Sequence, residues 1–381
     1  MATGLTNLVP DAYAALNVVS RELTGLLNSV NRLHGVERLG IGQSLRSPVA
    51  PINTAGRDIV PAMTLPAAAE QTIGNVPFTL TKSRAFPFTW SGEDQVSANA
   101  GPGSLTIAQQ QIAQAMRAAV AEISADGYAA ARVAASRAWG TAGTTPFATN
   151  LGESAQAKKI LDDNGAPQSD RSLVIGTTAG AALRTLLNNP LNANTSLAPD
   201  ATRRGVLIDV NDFAIREESK ITTVTKGTGS GFLVNNGAGY AIGATAITVD
   251  TGTGTILAGD VITFAGDTNK YVVKTALAAN VVTLQEPGLL QAVADNAAIT
   301  VGNNFVANLA FSRDAIVVGT RLPALPNTND LAVMRETIID PVTGIAFELA
   351  AYGAYRMVTF EIGIAWGWAV ENPRHLAIML G

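Results

Sequence analysis

The chain contains no cysteine and only two histidines in 381 residues, and charged residues make up 15% of it against a typical ~25%. Without cysteine there is no thiolate nucleophile, no disulfide scaffold and no Cys-based zinc or iron–sulfur site. With only His34 and His375, a multi-histidine metal centre is excluded, and a Ser-His-Asp triad has just those two imidazoles to draw on. No run is apolar enough for a membrane helix, which needs ~20 nearly uncharged residues. The most apolar stretch, 345–370, is broken by Glu348, Arg356 and Glu361. The N-terminus has no basic leader and is interrupted by Asp11, Arg21 and Glu22, so a signal peptide is not expected. A net charge of -4 argues against a dedicated nucleic-acid binder, which is usually basic. The expectation is a soluble protein made in the cytoplasm. So little charge implies a surface largely covered by other protein.

What is present points to several segments of different character. The length predicts roughly two or three domains. Residues 1–35 read as helical, because Leu16, Val19, Leu23, Leu26, Leu27 and Val30 recur at spacings of three and four. Residues 40–70 lose periodicity and carry Pro48, Pro51, Pro61 and Pro66, which reads as an extended arm. Residues 75–91 alternate and predict two short strands, with Lys82, Ser83 and Arg84 near the turn between them. The strongest helix follows: Thr106 and Gln109 make a capping-box pattern, and proline-free composition runs to about Trp139 with Gly127 as the weak point. Residues 140–220 read as α/β, with helices at 155–163 and 179–188, a polar loop at 192–200, and strands at 172–176 and 205–215. Residues 221–302 turn Thr- and Gly-rich with short apolar runs at 246–249, 261–264, 271–275 and 281–284. That pattern predicts a small β-barrel or sandwich inserted into a loop of a host domain. In the final strand region, Val358, Phe360, Ile362, Ile364, Trp366 and Trp368 share one face and mostly small residues the other. One face should be buried and the other closely approached.

No motif amounts to an active site. The glycines of 237–243 and 252–254 miss the dinucleotide spacing and open no helix. Ser230 has Thr228 where a nucleophile elbow needs Gly. The pairs Glu93/Asp94, Asp162/Asp163 and Glu217/Glu218 are adjacent, so their side chains diverge where catalytic carboxylates must converge. His34 and His375 are expected to be surface or packed imidazoles, and Arg203-Arg204 is too short a basic run to bind nucleic acid. The chain is expected to be no enzyme and to need no cofactor or metal.

Three strings carry a resemblance. They are Lys159–Pro167 leading into Asp170–Ile175, Asn308–Ala315, and Asp340–Ile345 followed by the strand ending Trp366-Gly367. With the order of segments, they resemble the tailed-bacteriophage major capsid (coat) proteins of the HK97-like fold, the short-tailed-phage type with an insertion domain. The resemblance implies an α+β fold with an N-terminal arm (1–50) and an extended loop (51–90). It implies a peripheral domain (91–140 and 335–381) with a spine helix at 104–139, and an axial α/β domain (141–220 and 303–334). An inserted small β-barrel would occupy 221–302. It further implies self-assembly into hexamers and pentamers of an icosahedral shell around double-stranded DNA contacted non-specifically. A scaffolding protein, a portal and a decoration protein are implied partners, with no membrane involved. The location would be the virion, assembled in the host cytoplasm. Lys82 and Arg84 at the loop tip are the candidates for pairing with Glu93 or Asp94 of an adjacent subunit. Two alternatives are a β-rich tail or surface adhesin component, which would suit 221–302, and a hydrolase dependent on His34 or His375.

Overall fold

The computed structural model describes residues 12–15, 25–49, 59–61, 63, 74–94, 104–187, 209–326, 330–340 and 343–381. Two β-sheets are bridged by one long helix. The first sheet has six strands: β1 (Asn31–Leu39), β4 (Lys82–Ser91), β16 (Ile316–Pro323), β17 (Ala332–Ile339), β18 (Ala346–Ala354) and β19 (Met357–Val370). Its spine is β19, which pairs antiparallel with β4, β18 and β16 along its fourteen residues.

The second sheet is built around β6 (Arg171–Gly176), β7 (Ala214–Glu218), β15 (Phe305–Ser312), β20 (Leu376–Leu380) and β5 (Arg137–Trp139). They lie in the order β7-β6-β15-β20-β5. β20 therefore sits between β15 and β5, and all five of its residues are buried. Helices α3 (Gly152–Asp163) and α4 (Thr177–Leu187) frame it, packing Ala157, Leu161 and Leu183 against Leu173, Phe213 and Met379. A short β8 (Thr223–Val224) adds to β15. The chain passes between the sheets by two short 3-10 turns, Arg313–Ala315 and Pro373–His375.

Residues 221–302 hold the predicted strands as β10 (Ala246–Asp250), β11 (Val261–Phe264), β12 (Lys270–Ala278) and β13 (Val281–Leu284). Two more, β9 (Leu233–Val234) and β14 (Ile299–Val301), complete the set. The pairing runs β9-β10-β13-β12-β11-β14. The ring closes where Val234 N donates to Ala297 O (3.0 Å) and Ile299 N to Phe232 O (2.9 Å). This is a closed small barrel with its own apolar filling, including Phe264, Tyr271 and Ile247. Closure leaves no raw sheet edge. The barrel is hydrogen-bonded to its host, because β12 also pairs with β5 at Lys270↔Ala138 and Tyr271↔Arg137.

Helix α2 (Ser104–Ala134) ends five residues before the predicted Trp139. Residues 137–139 are drawn into the second sheet, and Ser136 N and Oγ both donate to Leu376 O. The predicted N-terminal helix is corrected too. Residues 12–15 are helical and α1 covers Gly25–Ser29, but Asn31 onward is β1, paired parallel with β16. A sheet partner almost 300 residues away overrides the local spacing. Residues 16–24, the polar loop 192–200 and the first part of the predicted strand at 205–215 lie outside the described residues.

The two predicted strands of 75–91 exist as β3 (Gly74–Thr79) and β4, but they do not pair with each other. β3 pairs with β2 (Ser44–Val49) to form a separate two-stranded hairpin, and β4 joins β19 over ten residues. Leu80 and Thr81 form a corner between sheets rather than a hairpin turn.

Candidate assembly surface

The surface is built on β19. Its bulky face turns to α2, where Trp366 is fully buried and donates Nε1 to Asp126 Oδ2 (2.9 Å). Trp368 Nε1 donates to the Ile123 carbonyl (3.0 Å). Gly127, the expected weak point of the helix, is the slot for that indole, since a Cβ there would lie 2.4 Å from Trp368 Cζ2. The small face of the sheet receives the base of the β2–β3 hairpin. A Cβ on Gly367 would meet Thr79 O at 2.3 Å, and one on Gly319 would meet Phe78 at 2.7 Å and Leu45 at 2.8 Å. Both faces behave as the alternation predicts.

The four residues singled out from the sequence are placed as follows. Lys82 is the first residue of β4, not a loop tip, because its strand is zipped to β19 and lies under α2. Its Nζ donates to Asp126 Oδ1 (2.9 Å) and Glu122 Oε1 (3.1 Å) and stands 5.9 Å from the Trp366 ring centre. The Asp126 hydrogen bond, more than the Glu122 one, raises the ammonium above its ordinary range. Arg84 reaches Glu122 at 3.4 Å. Asp94 accepts from Ser91 Oγ (2.6 Å), and that bond holds its carboxyl below the usual range. Glu93 is exposed beside it. Within one chain the two basic residues are thus brought to Glu122 and Asp126, not to Glu93 and Asp94. Glu122 and Asp126, four residues apart, share one helix face and so meet both basic residues within the chain.

Two features of this region face outward. In the connection between β2 and β3, Ile59 is 101% and Met63 106% exposed, with Val60 beside them also exposed. Between the outer edge of β4 and the first half of α2 runs a groove of about 1150 Å³, lined by Phe86, Phe88, Ala113 and Ala15 with Arg84 and Arg117 at its margins. Phe88 stacks on Phe360 with ring centres 5.4 Å apart. No described strand pairs with the groove-side edge of β4, so its backbone N–H and C=O groups can take an added strand.

The remaining candidates are structural. Asp162 and Asp163 diverge, to Arg171 (2.7 Å) and to Lys159 (3.4 Å) with Arg137 (3.5 Å). Glu217 chelates Arg184 through two 2.6 Å bonds. Glu218 turns inward, accepting from Ser124 Oγ (2.8 Å) and Leu26 N (3.3 Å), which fastens α1 and α2 to β7. His34 lies on β1 with Nδ1 2.8 Å from Thr320 Oγ1. Burial first, then Arg32 and Arg321, lower its pKa to about 4. His375 Nδ1 is 2.9 Å from Asp314 Oδ2 across the two inter-sheet turns. Burial alone would raise Asp314, but hydrogen bonds from His375 and Ser312 leave it below the usual range. Among the described residues no group of three or more His, Asp or Glu side chains is gathered to hold a metal. No helix among them is long and apolar enough to cross a membrane.

No family model matches the chain, and no curated protein matches it. Solved structures do. One from Mycobacterium phage Che8 is 11% identical over 90% of this chain and 88% of its own, with a TM-score of 0.45. The mature capsid of bacteriophage PhiM1 is 9% identical over 93% and 85%, with a TM-score of 0.46. A virus-like particle from Pyrococcus furiosus is 8% identical over 98% of both chains, with a TM-score of 0.44. These are likenesses of outline, and none transfers a residue's role to this chain.

Proposed function

We propose that this chain is a major capsid protein of a tailed bacteriophage, with the HK97-like fold and an inserted barrel, and that it acts by assembly rather than by catalysis. Many copies close into an icosahedral shell around packaged double-stranded DNA. The reading is supported by the resemblance of residues 159–175, 308–315 and 340–345. The observation that carries it is the presence on one chain of exposed apolar side chains, Ile59, Val60 and Met63, and an apolar groove between β4 and α2 on a strand edge that no described strand pairs. A donor patch and an acceptor groove at different places on one molecule make head-to-tail contacts, which close into rings when the rotation closes. Repeated through a shell, such contacts gain strength from apolar and backbone burial, with a few charge pairs setting register.

In this reading residues 1–50 are the arm, 51–90 the extended loop, and 91–140 with 335–381 a peripheral domain whose spine helix is Ser104–Ala134. Residues 141–220 and 303–334 are the axial domain, and 221–302 the inserted barrel. The pairing of 44–49 with 74–79 favours starting the loop a few residues earlier. A scaffolding protein and a portal take part in assembly in the host cytoplasm, a decoration protein joins the outer surface, and the shell ends as part of the virion.

The test is negative-stain electron microscopy of the purified protein, alone and with its scaffold, beside the I59S/M63S variant. Particles from the wild type, and folded subunits without particles from the variant, are expected. Wild-type protein that stays monomeric at high concentration refutes the assembly reading. A variant that assembles normally refutes the role of Ile59 and Met63.

A further inference from the structure

Gly237, the first of the glycines that miss the dinucleotide spacing, completes one of two Asn-Gly dipeptides in the chain, Asn164-Gly165 and Asn236-Gly237. An Asn before Gly is open to self-attack. The next backbone nitrogen lies within reach of the side-chain carbonyl, and Gly has no Cβ to obstruct a ring between them. The fold treats the two dipeptides differently. Asn164 caps the end of α3 and is locked. Its Nδ2 donates to Ser136 Oγ (3.1 Å) and Arg374 O (2.7 Å), and the Gly165 N–H donates to Asp162 O (3.0 Å). Asn236 opens a turn just past β9 of the barrel, closed by Gly239 N donating to Asn236 O (2.7 Å). Its own backbone N donates to Asp295 Oδ1 (2.8 Å), and its Nδ2 donates to Gly239 O (2.6 Å). The Ala238 N–H donates to Asn236 Oδ1 (3.2 Å), an arrangement that folds the side-chain amide back along the Gly237 peptide. Among the described residues no hydrogen bond engages the Gly237 N–H. Gly237 and Ala238 are exposed, so water reaches both.

We propose that Asn236 is a self-modification site, which the folded barrel converts to aspartate and isoaspartate. The Gly237 nitrogen gives its proton to hydroxide and attacks Asn236 Cγ. The new C–N bond forms, the Cγ–Nδ2 bond breaks, and ammonia leaves with a proton taken from water. The product is a five-membered succinimide, and one water then opens either of its carbonyls. The Ala238 N–H already on Oδ1 stabilises the negative charge that gathers there as the nitrogen adds. The turn stands beside the seam that closes the barrel. There Asn296 N donates to Val234 O (2.8 Å), and Tyr240 and Val293 exchange backbone bonds of 2.7 and 2.9 Å. A carboxylate at 236 has no proton for Gly239 O and adds a second negative charge to a turn already bonded to Asp295. Conversion therefore removes a hydrogen bond, adds a repulsion and loosens the seam. The chemistry needs only this chain and water, so it is independent of the assembly reading.

The experiment incubates the full chain at mildly alkaline pH, folded and in urea, for wild type and Gly237→Ala. Peptide mapping by mass spectrometry follows Asn-to-Asp conversion, and isoaspartyl methyltransferase labelling identifies the isoaspartate. The variant should fold, since a Cβ on Gly237 meets nothing within 4 Å and the backbone there is not left-handed. Each hydrogen bond that must be given up slows ring closure by about fivefold. The Asn164 site has three to lose and the Asn236 site one. In the folded protein Asn236 should therefore convert about 25-fold faster than Asn164. Gly237→Ala should remove most of that conversion and leave Asn164 as it was. Equal rates at the two sites overturn the proposal, as does a variant that converts as fast as wild type. Conversion of Asn236 in urea alone overturns it too, because the fold then protects the site. In Asn236→Asp, amide hydrogen exchange at Tyr240 and Asn296 should quicken, and unchanged exchange there refutes the loosening of the seam.

Discussion

Replacing Gly127 with alanine should destabilise this protein, although the same change in most helices does the opposite. In the middle of an exposed helix, Gly→Ala gains about 1 kcal/mol from backbone entropy and propensity. Here the new methyl would stand 2.4 Å from Trp368 Cζ2 and 2.5 Å from Cε2, where carbons in contact prefer roughly 3.5–4 Å. The indole cannot retreat freely, because its Nε1 is bonded to Ile123 O one turn back along the same helix. Overpacking costs about 1–3 kcal/mol, and losing that hydrogen bond about 1 kcal/mol more. Set against the propensity gain, the net should be a loss of about 1–3 kcal/mol. The assay is urea unfolding followed by far-ultraviolet circular dichroism, in a double-mutant cycle with W368L. With the indole gone, G127A should be neutral or stabilising, giving a coupling of about 2–4 kcal/mol. A midpoint that rises on G127A in the wild-type background would show that the slot does not exist.

Two more outcomes follow from the same geometry. Lys82→Ala should cost under about 1 kcal/mol, because its ion pairs are well exposed to solvent. Asp126→Ala leaves the buried Trp366 N–H without an acceptor and should cost about 1–3 kcal/mol, so equal urea midpoints would refute the assigned hierarchy. His34 gives a pH dependence of known sign. The unfolded imidazole takes a proton below about 6.5, whereas the folded one stays neutral to about 4. Its contribution is complete above the unfolded value and falls by about 1.4 kcal/mol per pH unit as pH drops toward the folded one. His34→Gln should flatten that part of the stability curve, and parallel curves between wild type and variant would count against the burial argument.

Local pattern revealed the elements whose neighbours are close in sequence. The barrel strands emerged within a residue or two over 246–250 and 261–264, because alternation and turn residues act over short range. The two faces of β19 were legible for the same reason. Partner choice was not. Nothing in 75–91 says that β4 leaves β3 for a strand 270 residues away, which sets Lys82 beside Glu122 and Asp126 of its own chain. Residues 31–35 read as the tail of a helix because the parallel partner of β1, β16, is equally remote. Glu122 and Asp126 were readable as a pair on one helix face, but their target was not.

The position of β20 sets a timetable for synthesis. It is translated after every other described strand of its sheet, yet it lies between β15 and β5. Until residues 376–380 emerge, the sheet exists as two unjoined parts: β7-β6-β15 on one side, and β5 with the barrel on the other. Each has a raw edge where β20 belongs. A nascent chain therefore cannot finish this sheet early, and closing it requires contacts of long sequence separation, which form slowly. Chains cut short before residue 376 would carry two open strand edges and be drawn to aggregation rather than to assembly.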